Sequence, residues 1–378
     1  MSGRPQRSPS APPAGPRPFG VYVHVPFCAR RCDYCAFATW TDRHHLMEAY
    51  AAACRAELGL LVAGGMPPAT SVFFGGGTPS LLPAESLCSV LDAIPRTSDA
   101  EVTVECNPDT VVPDLISAYR RAGVNRISLG VQSMVPSVLS ALGRQHDPAG
   151  VERAVDVVRH AGIENFNVDL IFGAVGETAA DWELTLGRAL ALGPPHVSAY
   201  ALTVEPGTPL GRDRGRHPDP DAQADAYLRA DAVLTASGLQ WYEISNFARA
   251  GYECRHNLLY WSQGDYAGVG CAAHSHTSGR RWWNVRTPER YIEEVGRGRP
   301  PVAAEEVLDE LGVARENLEL SLRTRGGVPS WALPPGEALT GLVEYRGQRA
   351  VLSRRGRLLA NEVALRLQPA PAGARSGP

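Results

Sequence analysis

The sequence predicts an α/β protein: a partial (β/α)6 barrel followed by a smaller, mainly helical C-terminal domain. Three observations indicate this class. Short β-branched and aromatic runs, typical of strands, occur six times, and amphipathic helical patterns separate them. Such alternation favours a parallel sheet with outer helices, which right-handed crossovers can curl into a barrel. The length of 378 residues suits a barrel with an appended module.

The six strands and the helices between them are predicted to follow one another up to about Gly238. The strands are predicted to begin near Val21, Ser71, Glu101, Arg126, Asn165 and His196. The helices are predicted at Arg43–Val62, Ala84–Ile94, Pro113–Ala122, Ala149–His160 and Ala179–Leu192. The pattern does not separate a barrel from an open, doubly wound sheet. In both folds ligands gather at the C-terminal ends of the strands, so functional residues are expected there.

The alternation weakens after Gly238. A further strand is predicted at Gln240–Phe247, and a loop rich in aromatic residues, His and Gly is predicted from there to Asn284. Helical patterns return at Glu289–Arg297 and Glu305–Arg323. The last pattern, at Ala350–Leu367, is strand–turn–helix, which is typical of a winged helix. We therefore divide the chain into a disordered N-terminal segment (1–18), a core barrel (19–238), a barrel extension (239–288), a C-terminal domain (289–368) and a disordered tail (369–378).

The composition excludes several classes of protein. A hydrophobic content of 44% and a charged content of 20% are typical of a soluble globular chain. A net charge of −3, without a basic block, argues against nucleic acid as a partner. No apolar run approaches ~20 residues, so no integral membrane segment is expected. The eight cysteines are mostly scattered and follow no secretory signal, which favours a reducing cytoplasm.

Three of the cysteines do cluster, in a loop directly after the first predicted strand. Cys28, Cys32 and Cys35 have the spacing C-x3-C-x2-C. Three thiolates on one loop can each bind one iron of a [4Fe–4S] cluster and leave the fourth iron open. The alternatives are a zinc site, for which His44 or His45 is a candidate fourth ligand, and unrelated buried thiols.

The second predicted strand ends in the glycine-rich segment Gly75-Gly76-Gly77-Thr78-Pro79. Consecutive glycines let the backbone approach a ligand where a Cβ atom would clash. The segment lacks the lysine of a phosphate loop and the G-x-G-x-x-G spacing of a dinucleotide fold. Taken alone, it is also compatible with a plain structural turn.

Four polar residues lie at or near the ends of the next strands. Glu105 is an acceptor suited to ribose hydroxyls, and Gln132 ends the following strand. Arg144 is a charge-assisted donor for a carboxylate. Asp169 lies within an apolar strand, where an unpaired charge would be costly. Each residue alone is compatible with a structural role, but together they indicate a binding site.

The cysteine spacing resembles the signature of the radical S-adenosylmethionine (SAM) superfamily. Together with the glycine-rich segment and the strand-end residues, it is similar to the oxygen-independent coproporphyrinogen III oxidase family of radical SAM proteins, from about Tyr22 to Leu367. The resemblance implies a [4Fe–4S] cluster, SAM at its open iron, and an electron donor such as flavodoxin or ferredoxin. It implies Cys28, Cys32 and Cys35 as cluster ligands. The implied SAM contacts are Tyr22, Tyr34, Gly76, Gly77, Thr78, Glu105, Gln132, Arg144 and Asp169.

Two branches of this family differ at positions that can be read in the chain. The true oxidase has a fourth cysteine two residues after the third, where this chain has Phe37, and a longer N-terminal segment. The HemW-like haem chaperone branch resembles this chain at Phe37, at Tyr242–Ala248 and at Arg255–Trp261, which contains the motif H-N-x-x-Y-W. The resemblance therefore implies a haem chaperone that passes haem to acceptor haemoproteins.

Within that motif, His256 is the implied haem ligand, and Tyr260 and Trp261 are aromatic partners for a porphyrin face. The residues alone leave open that His256 orders a loop while the aromatic residues anchor the core. His274 and Cys271 are reserve ligand candidates. The alternative functions are radical decarboxylation of coproporphyrinogen III in porphyrin biosynthesis and radical SAM chemistry on another substrate, and no catalytic residue is assigned.

Overall fold

The computed structural model describes residues 17–369. The predicted disordered ends, 1–18 and 369–378, lie outside the described residues except at 17, 18 and 369. Within the described part of the chain, no helix is both long enough and apolar enough to cross a membrane.

The first part of the chain confirms the predicted α/β class, because six parallel strands pair in sequence order with helices between them. The strands are β1 (Phe19–Val25), β2 (Ala69–Gly76), β3 (Arg96–Cys106), β4 (Arg126–Gln132), β5 (Phe166–Phe172) and β6 (His196–Ala201). The helices are α1 (Met47–Ala63), α2 (Ala84–Asp92), α3 (Pro113–Ala122), α4 (Pro136–Ala141), α5 (Pro148–His160), α6 (Ala179–Ala191), α7 (Pro209–Arg212) and α8 (Pro220–Ala236).

The strands are buried over most of their length because both faces of the sheet are covered, as parallel sheets require. In β1, for example, every residue except Tyr22 is buried. The barrel is partial. At one edge β6 pairs with an antiparallel strand that contains Ala248, and at the other edge β1 pairs with a parallel strand that contains Gly268. Together with four further strands, they extend the sheet to twelve strands.

The second part of the chain is more regular than its sequence predicted. The elements are β7 (Gln240–Glu243), β8 (Asn246–Ala248), α9 (Arg255–Trp261), β9 (Asp265–Val269), β10 (His274–Thr277), β11 (Arg280–Asn284), α10 (Pro288–Gly296), β12 (Val302–Val307), α11 (Glu310–Leu322), β13 (Val328–Pro329), β14 (Val343–Arg346), β15 (Arg349–Leu352), α12 (Arg354–Leu358) and α13 (Ala360–Ala364). Single 3₁₀ turns lie at His44–Leu46, Pro79–Leu81, Pro108–Thr110, Arg214–Arg216, Ser330–Ala332 and Glu337–Leu339.

Three local predictions in this part were wrong. The single strand predicted at Gln240–Phe247 is a pair of antiparallel strands, β7 and β8. The predicted loop up to Asn284 contains α9, β9, β10 and β11, whose short, polar stretches carry no clear periodicity. The helix predicted from Glu305 begins at Glu310, where the side chain of Asp309 accepts a hydrogen bond from Gly312 N (2.7 Å). The residues before it form β12, an exposed edge strand of the main sheet.

A second hydrophobic cluster lies near the C-terminus. Leu318 and Leu322 of α11 pack with residues of the three-stranded antiparallel sheet β13–β15–β14 and of α13. This arrangement of short strands and helices agrees with the expected smaller, helical C-terminal part. Since β12 pairs with β11, residues up to Val307 still contribute to the main sheet. The exact division into domains stays a prediction.

A buried carboxyl group joins α1 to the added strands. Glu57 is 4% exposed and accepts hydrogen bonds from Gly270 N (2.9 Å), Asn284 Nδ2 (2.7 Å) and Tyr291 OH (2.5 Å). Burial raises the pKa of Glu57 to about 7, although these three donors oppose the shift. At pH values between the ordinary pKa of a glutamate and about 7, Glu57 keeps its proton in the folded protein but releases it in the unfolded chain.

We therefore expect stability to fall as the pH rises from about 5 to about 7, because Glu57 opposes folding increasingly over this range. Its contribution to the slope is at most about 1.4 kcal/mol per pH unit. Urea unfolding of Glu57→Gln across this range should show a flatter slope than the native protein. The exposed Glu48→Gln on the same helix is the matched control. Identical slopes in all three proteins would contradict the assignment.

Candidate functional site

The cysteine loop and the glycine-rich segment lie side by side at the C-terminal ends of β1 and β2. Gly77 N donates to Val25 O (2.7 Å), and Thr78 N donates to Phe27 O (2.8 Å). A Cβ atom on Gly77 would lie 2.6 Å from Phe27 O and 3.0 Å from Cys28 Sγ. Glycine is therefore required at this position, because the two segments approach each other closely.

The three thiols lie on this loop among polar partners. Thr78 Oγ1 is 3.7 Å from Cys28 Sγ, and Arg144 Nη1 is 3.6 Å from Cys32 Sγ. Burial raises the pKa of the Cys28 and Cys35 thiols, and the neighbouring cysteines raise both further. These thiols therefore favour the protonated form, and a bound metal would be needed to hold them as thiolates.

The thiols do not have the arrangement of a single-ion site. Among residues 17–369, no group of three His, Cys, Asp or Glu side chains is placed to hold one metal ion. A four-iron cluster takes one thiolate per iron and so needs its sulfur atoms farther apart than one ion does. Three thiols on one loop, with the backbone of Gly77 packed against them, fit the cluster better than they fit zinc.

Arg144 joins the cysteine loop to β4. Its guanidinium donates to Gly130 O (2.8 Å) and to Asn107 Oδ1, in addition to its contact with Cys32. Next to it the strand bulges, and Gln132 has a φ of 64°, in the left-handed region. Such strain in a non-glycine residue is typical of functional sites. Tyr34 lies beside Cys32 and Arg144, whose charges act on the pKa of its phenol group. That pKa is raised mainly by burial.

The carboxyl groups of Glu105 and Asp169 lie further inside the barrel. Gly76 N donates to Glu105 Oε2 (3.2 Å), which connects the glycine-rich segment to β3. Asp169 accepts hydrogen bonds from Ser128 Oγ and Asn167 Nδ2, both at 2.8 Å. Burial, followed by the charge of Asp169, raises the pKa of Glu105 to about 8. Burial also raises the pKa of Asp169.

The predicted haem ligand lies elsewhere, near the N-terminal ends of the strands. His256 is 1% exposed, with Nδ1 2.9 Å from Ser71 Oγ and Nε2 2.9 Å from Tyr260 OH. Glu101 Oε1 accepts from Arg255 N (2.9 Å) and His256 N (3.3 Å), which fixes the start of α9. Burial lowers the pKa of His256 to about 3, so the imidazole is neutral.

This geometry does not decide between the two roles considered for His256, as a haem ligand or as a core residue. In the described conformation both ring nitrogens of His256 are occupied, as in the alternative that it is a core residue. Of the reserve candidates, Cys271 is buried beside Tyr50 OH (3.5 Å), whereas His274 is exposed and stacks on Trp283 with ring centroids 5.5 Å apart. Phe37, at the position that separates the two branches, is 64% exposed.

A cavity of about 170 Å³ lies inside the barrel between these two regions. The predicted SAM contacts Tyr22, Glu105 and Asp169 form part of its wall, and His256 and Tyr260 of α9 form another part. Sequence analysis missed several further polar residues of this wall. They are Arg126, Ser128, Asn167, His196 and Ser198. For Ser128, Asn167 and Ser198 the available signal is a polar residue within an otherwise apolar strand, whereas Arg126 and His196 begin their strands and give no such signal.

Comparisons with known proteins bear on the fold and the family of the chain. The family model of the radical SAM superfamily matches residues 22–189. The crystal structure of coproporphyrinogen III oxidase (HemN) from Escherichia coli superposes with a TM-score of 0.82 at 23% identity, over 92% of this chain and 89% of that chain. At this identity the likeness concerns the fold. Fold, cysteine loop and family match together define a radical SAM protein, and this superfamily implies a [4Fe–4S] cluster and SAM.

Relatives named "Heme chaperone HemW" are similar over most of the chain. The protein from Mycobacterium tuberculosis is 41% identical over 95% of this chain and 97% of its own length. That from Bacillus subtilis is 35% identical over 91% and 97%, and that from Escherichia coli is 40% identical over 68% and 70%. The chain belongs to the HemW family.

Proposed function

We propose that the protein is a haem chaperone, which binds haem and transfers it to acceptor haemoproteins. The observation that carries this proposal is the nearly full-length similarity to relatives named as haem chaperones. Phe37 supports it, because a phenyl ring replaces the fourth thiol expected of the true oxidase. The ring is largely exposed beside the cysteine loop and so leaves an apolar surface there.

We propose that Cys28, Cys32 and Cys35 hold the cluster. With SAM at its open iron, the cluster supplies one-electron chemistry at the SAM sulfonium. The residues around it have binding roles: Gly76 and Gly77 offer close backbone approach, and Glu105 offers an acceptor for ribose hydroxyls. Gln132, Asp169 and Tyr22 complete the predicted SAM wall. Flavodoxin or ferredoxin is the proposed class of electron donor.

The proposed location is the cytosol. All eight cysteines are free thiols, and free thiols in this number suit a reducing compartment. A reducing compartment also suits an iron–sulfur cluster whose open iron must remain available to SAM.

For haem, the proposed ligand remains His256, with a condition that the geometry imposes. Haem iron needs a free imidazole nitrogen, and both nitrogens of His256 are hydrogen-bonded within the protein. Ligation by His256 therefore requires one of these bonds to break: the Nδ1 bond through movement of α9 away from β2, or the Nε2 bond through movement of the Tyr260 side chain. The exposed His274 needs no such movement and is the second candidate.

A paired anaerobic assay tests the function. After cluster reconstitution, the protein is titrated with haem, and in parallel it is incubated with coproporphyrinogen III, SAM and a reductant. We expect a saturable shift of the Soret band and no decarboxylated product. Formation of protoporphyrinogen would make the protein an oxidase, and absence of haem binding at micromolar concentration would remove the chaperone proposal.

A further inference from the structure

Arg126, the first residue of β4, is a buried cation that forms no side-chain hydrogen bond within residues 17–369, and Glu101 and Asp169 act on its charge only from a distance. It is 2% exposed, and its Nε is buried without a hydrogen bond. No ion pair or hydrogen bond joins its guanidinium to another side chain among the described residues 17–369. Arginine is almost never buried this deeply unless it is paired, because an isolated charge is costly to remove from water. The five N–H donors of Arg126 therefore indicate that a bound molecule forms hydrogen bonds with them.

The guanidinium faces the barrel cavity of about 170 Å³. This volume corresponds to roughly five or six water molecules. The wall near Arg126 is polar and includes Ser128, Asn167, His196 and Ser198. A cavity with such a wall holds polar occupants, whereas empty cavities in proteins are typically apolar.

The nearby carboxyl groups do not neutralise Arg126 by direct contact. Asp169 already accepts from Ser128 and Asn167, and Glu101 accepts from the first amides of α9. The pKa of Glu105 is about 8, so this group is mostly uncharged at pH 7. The cavity thus contains one guanidinium whose hydrogen-bonding capacity is unused by the protein.

We propose that this cavity binds the carboxylate of a small organic acid through the guanidinium of Arg126. A planar guanidinium matches the two oxygen atoms of a carboxylate in a paired geometry. The hydroxyls of Ser128 and Ser198 and the amide of Asn167 supply further polar contacts on the same wall. The volume admits an acid the size of formate, acetate or propionate. The cavity shares Tyr22, Glu105 and Asp169 with the proposed SAM wall, but binding of an acid at Arg126 requires neither SAM nor haem.

The test uses the full-length, cluster-reconstituted protein without SAM or haem, so that the carboxylates of those ligands cannot contribute. Acetate, formate and propionate are titrated by calorimetry and by thermal unfolding against sodium chloride at equal ionic strength. We expect saturable binding and a rise in Tm of about 2 °C at tenfold excess over Kd. In Arg126→Met, binding should weaken by at least about tenfold. Arg121→Met, an exposed residue on α3, is the matched control and should bind acetate like the native protein.

Arg126→Lys replaces Arg126→Met in the test if Arg126→Met does not fold. It keeps the charge without the planar pair of donors and should also weaken binding. Absence of saturable binding in the native protein would overturn the proposal, because the cavity would then contain only water. Equal binding in Arg126→Met would place the site elsewhere. An equal effect of sulfate would overturn the assignment to carboxylates, because sulfate is tetrahedral.

Discussion

Replacing Cys32 by serine should abolish assembly of the iron–sulfur cluster. A cluster with an open iron has only three protein thiolates, one on each remaining iron, so the loss of one leaves two irons unprotected. The position is sensitive for a second reason, since Arg144 lies 3.6 Å from Cys32 Sγ and can stabilise a thiolate there. After anaerobic reconstitution, iron and sulfide content and the visible thiolate-to-iron absorption should fall to near zero.

The matched control is Cys88→Ser. Cys88 is a half-buried thiol on α2 whose Sγ is 3.8 Å from Ala118 O, away from the cysteine loop. This variant should retain the iron content and absorption of the native protein. A full cluster in Cys32→Ser would mean that another residue supplies the third thiolate, and the assignment of the loop would then fail.

The site around this loop could be predicted because of how parallel strands are arranged. Their carboxyl ends meet at one edge of the sheet, so short motifs that each follow a strand are brought together by topology alone. Gly77 against Cys28, Glu105 against Gly76, and Arg144 against Cys32 are all contacts between motifs that the sequence had identified. Strand pairing in sequence order was enough to place them.

The other end of the barrel could not be predicted in the same way. The position of α9 depends on contacts between residues far apart in sequence, such as Glu101 with Arg255 and Ser71 with His256. A seven-residue helix is too short to show a clear hydrophobic periodicity. Its sequence therefore does not indicate whether a histidine within it is exposed or buried. Arg126 was missed for the same reason, because nothing in the sequence states that a strand-start arginine points into a cavity.

Because His256 is enclosed, weakening its enclosure should strengthen haem binding if it is the ligand. The apparent affinity is then the intrinsic affinity multiplied by the fraction of protein in which the Nε2 atom of His256 is free. Tyr260→Phe removes the hydrogen bond to His256 Nε2 and keeps the aromatic ring for contact with a porphyrin. Loss of a hydrogen bond of about 1 kcal/mol corresponds to roughly a fivefold rise in the fraction of protein with a free Nε2 atom. We therefore expect the apparent Kd for haem to fall about fivefold in a Soret titration.

Tyr266→Phe is the matched control, because Tyr266 packs edge-on against Tyr260 with centroids 4.5 Å apart, and its hydroxyl does not bond His256. Its haem affinity should remain native. His256→Ala should lose haem binding, and this loss has meaning only together with the gain in Tyr260→Phe, since removing a buried histidine also weakens the fold. Unchanged affinity in Tyr260→Phe, with loss in His274→Ala, would make His274 the ligand. His256 would then be a core residue that holds α9 on the barrel.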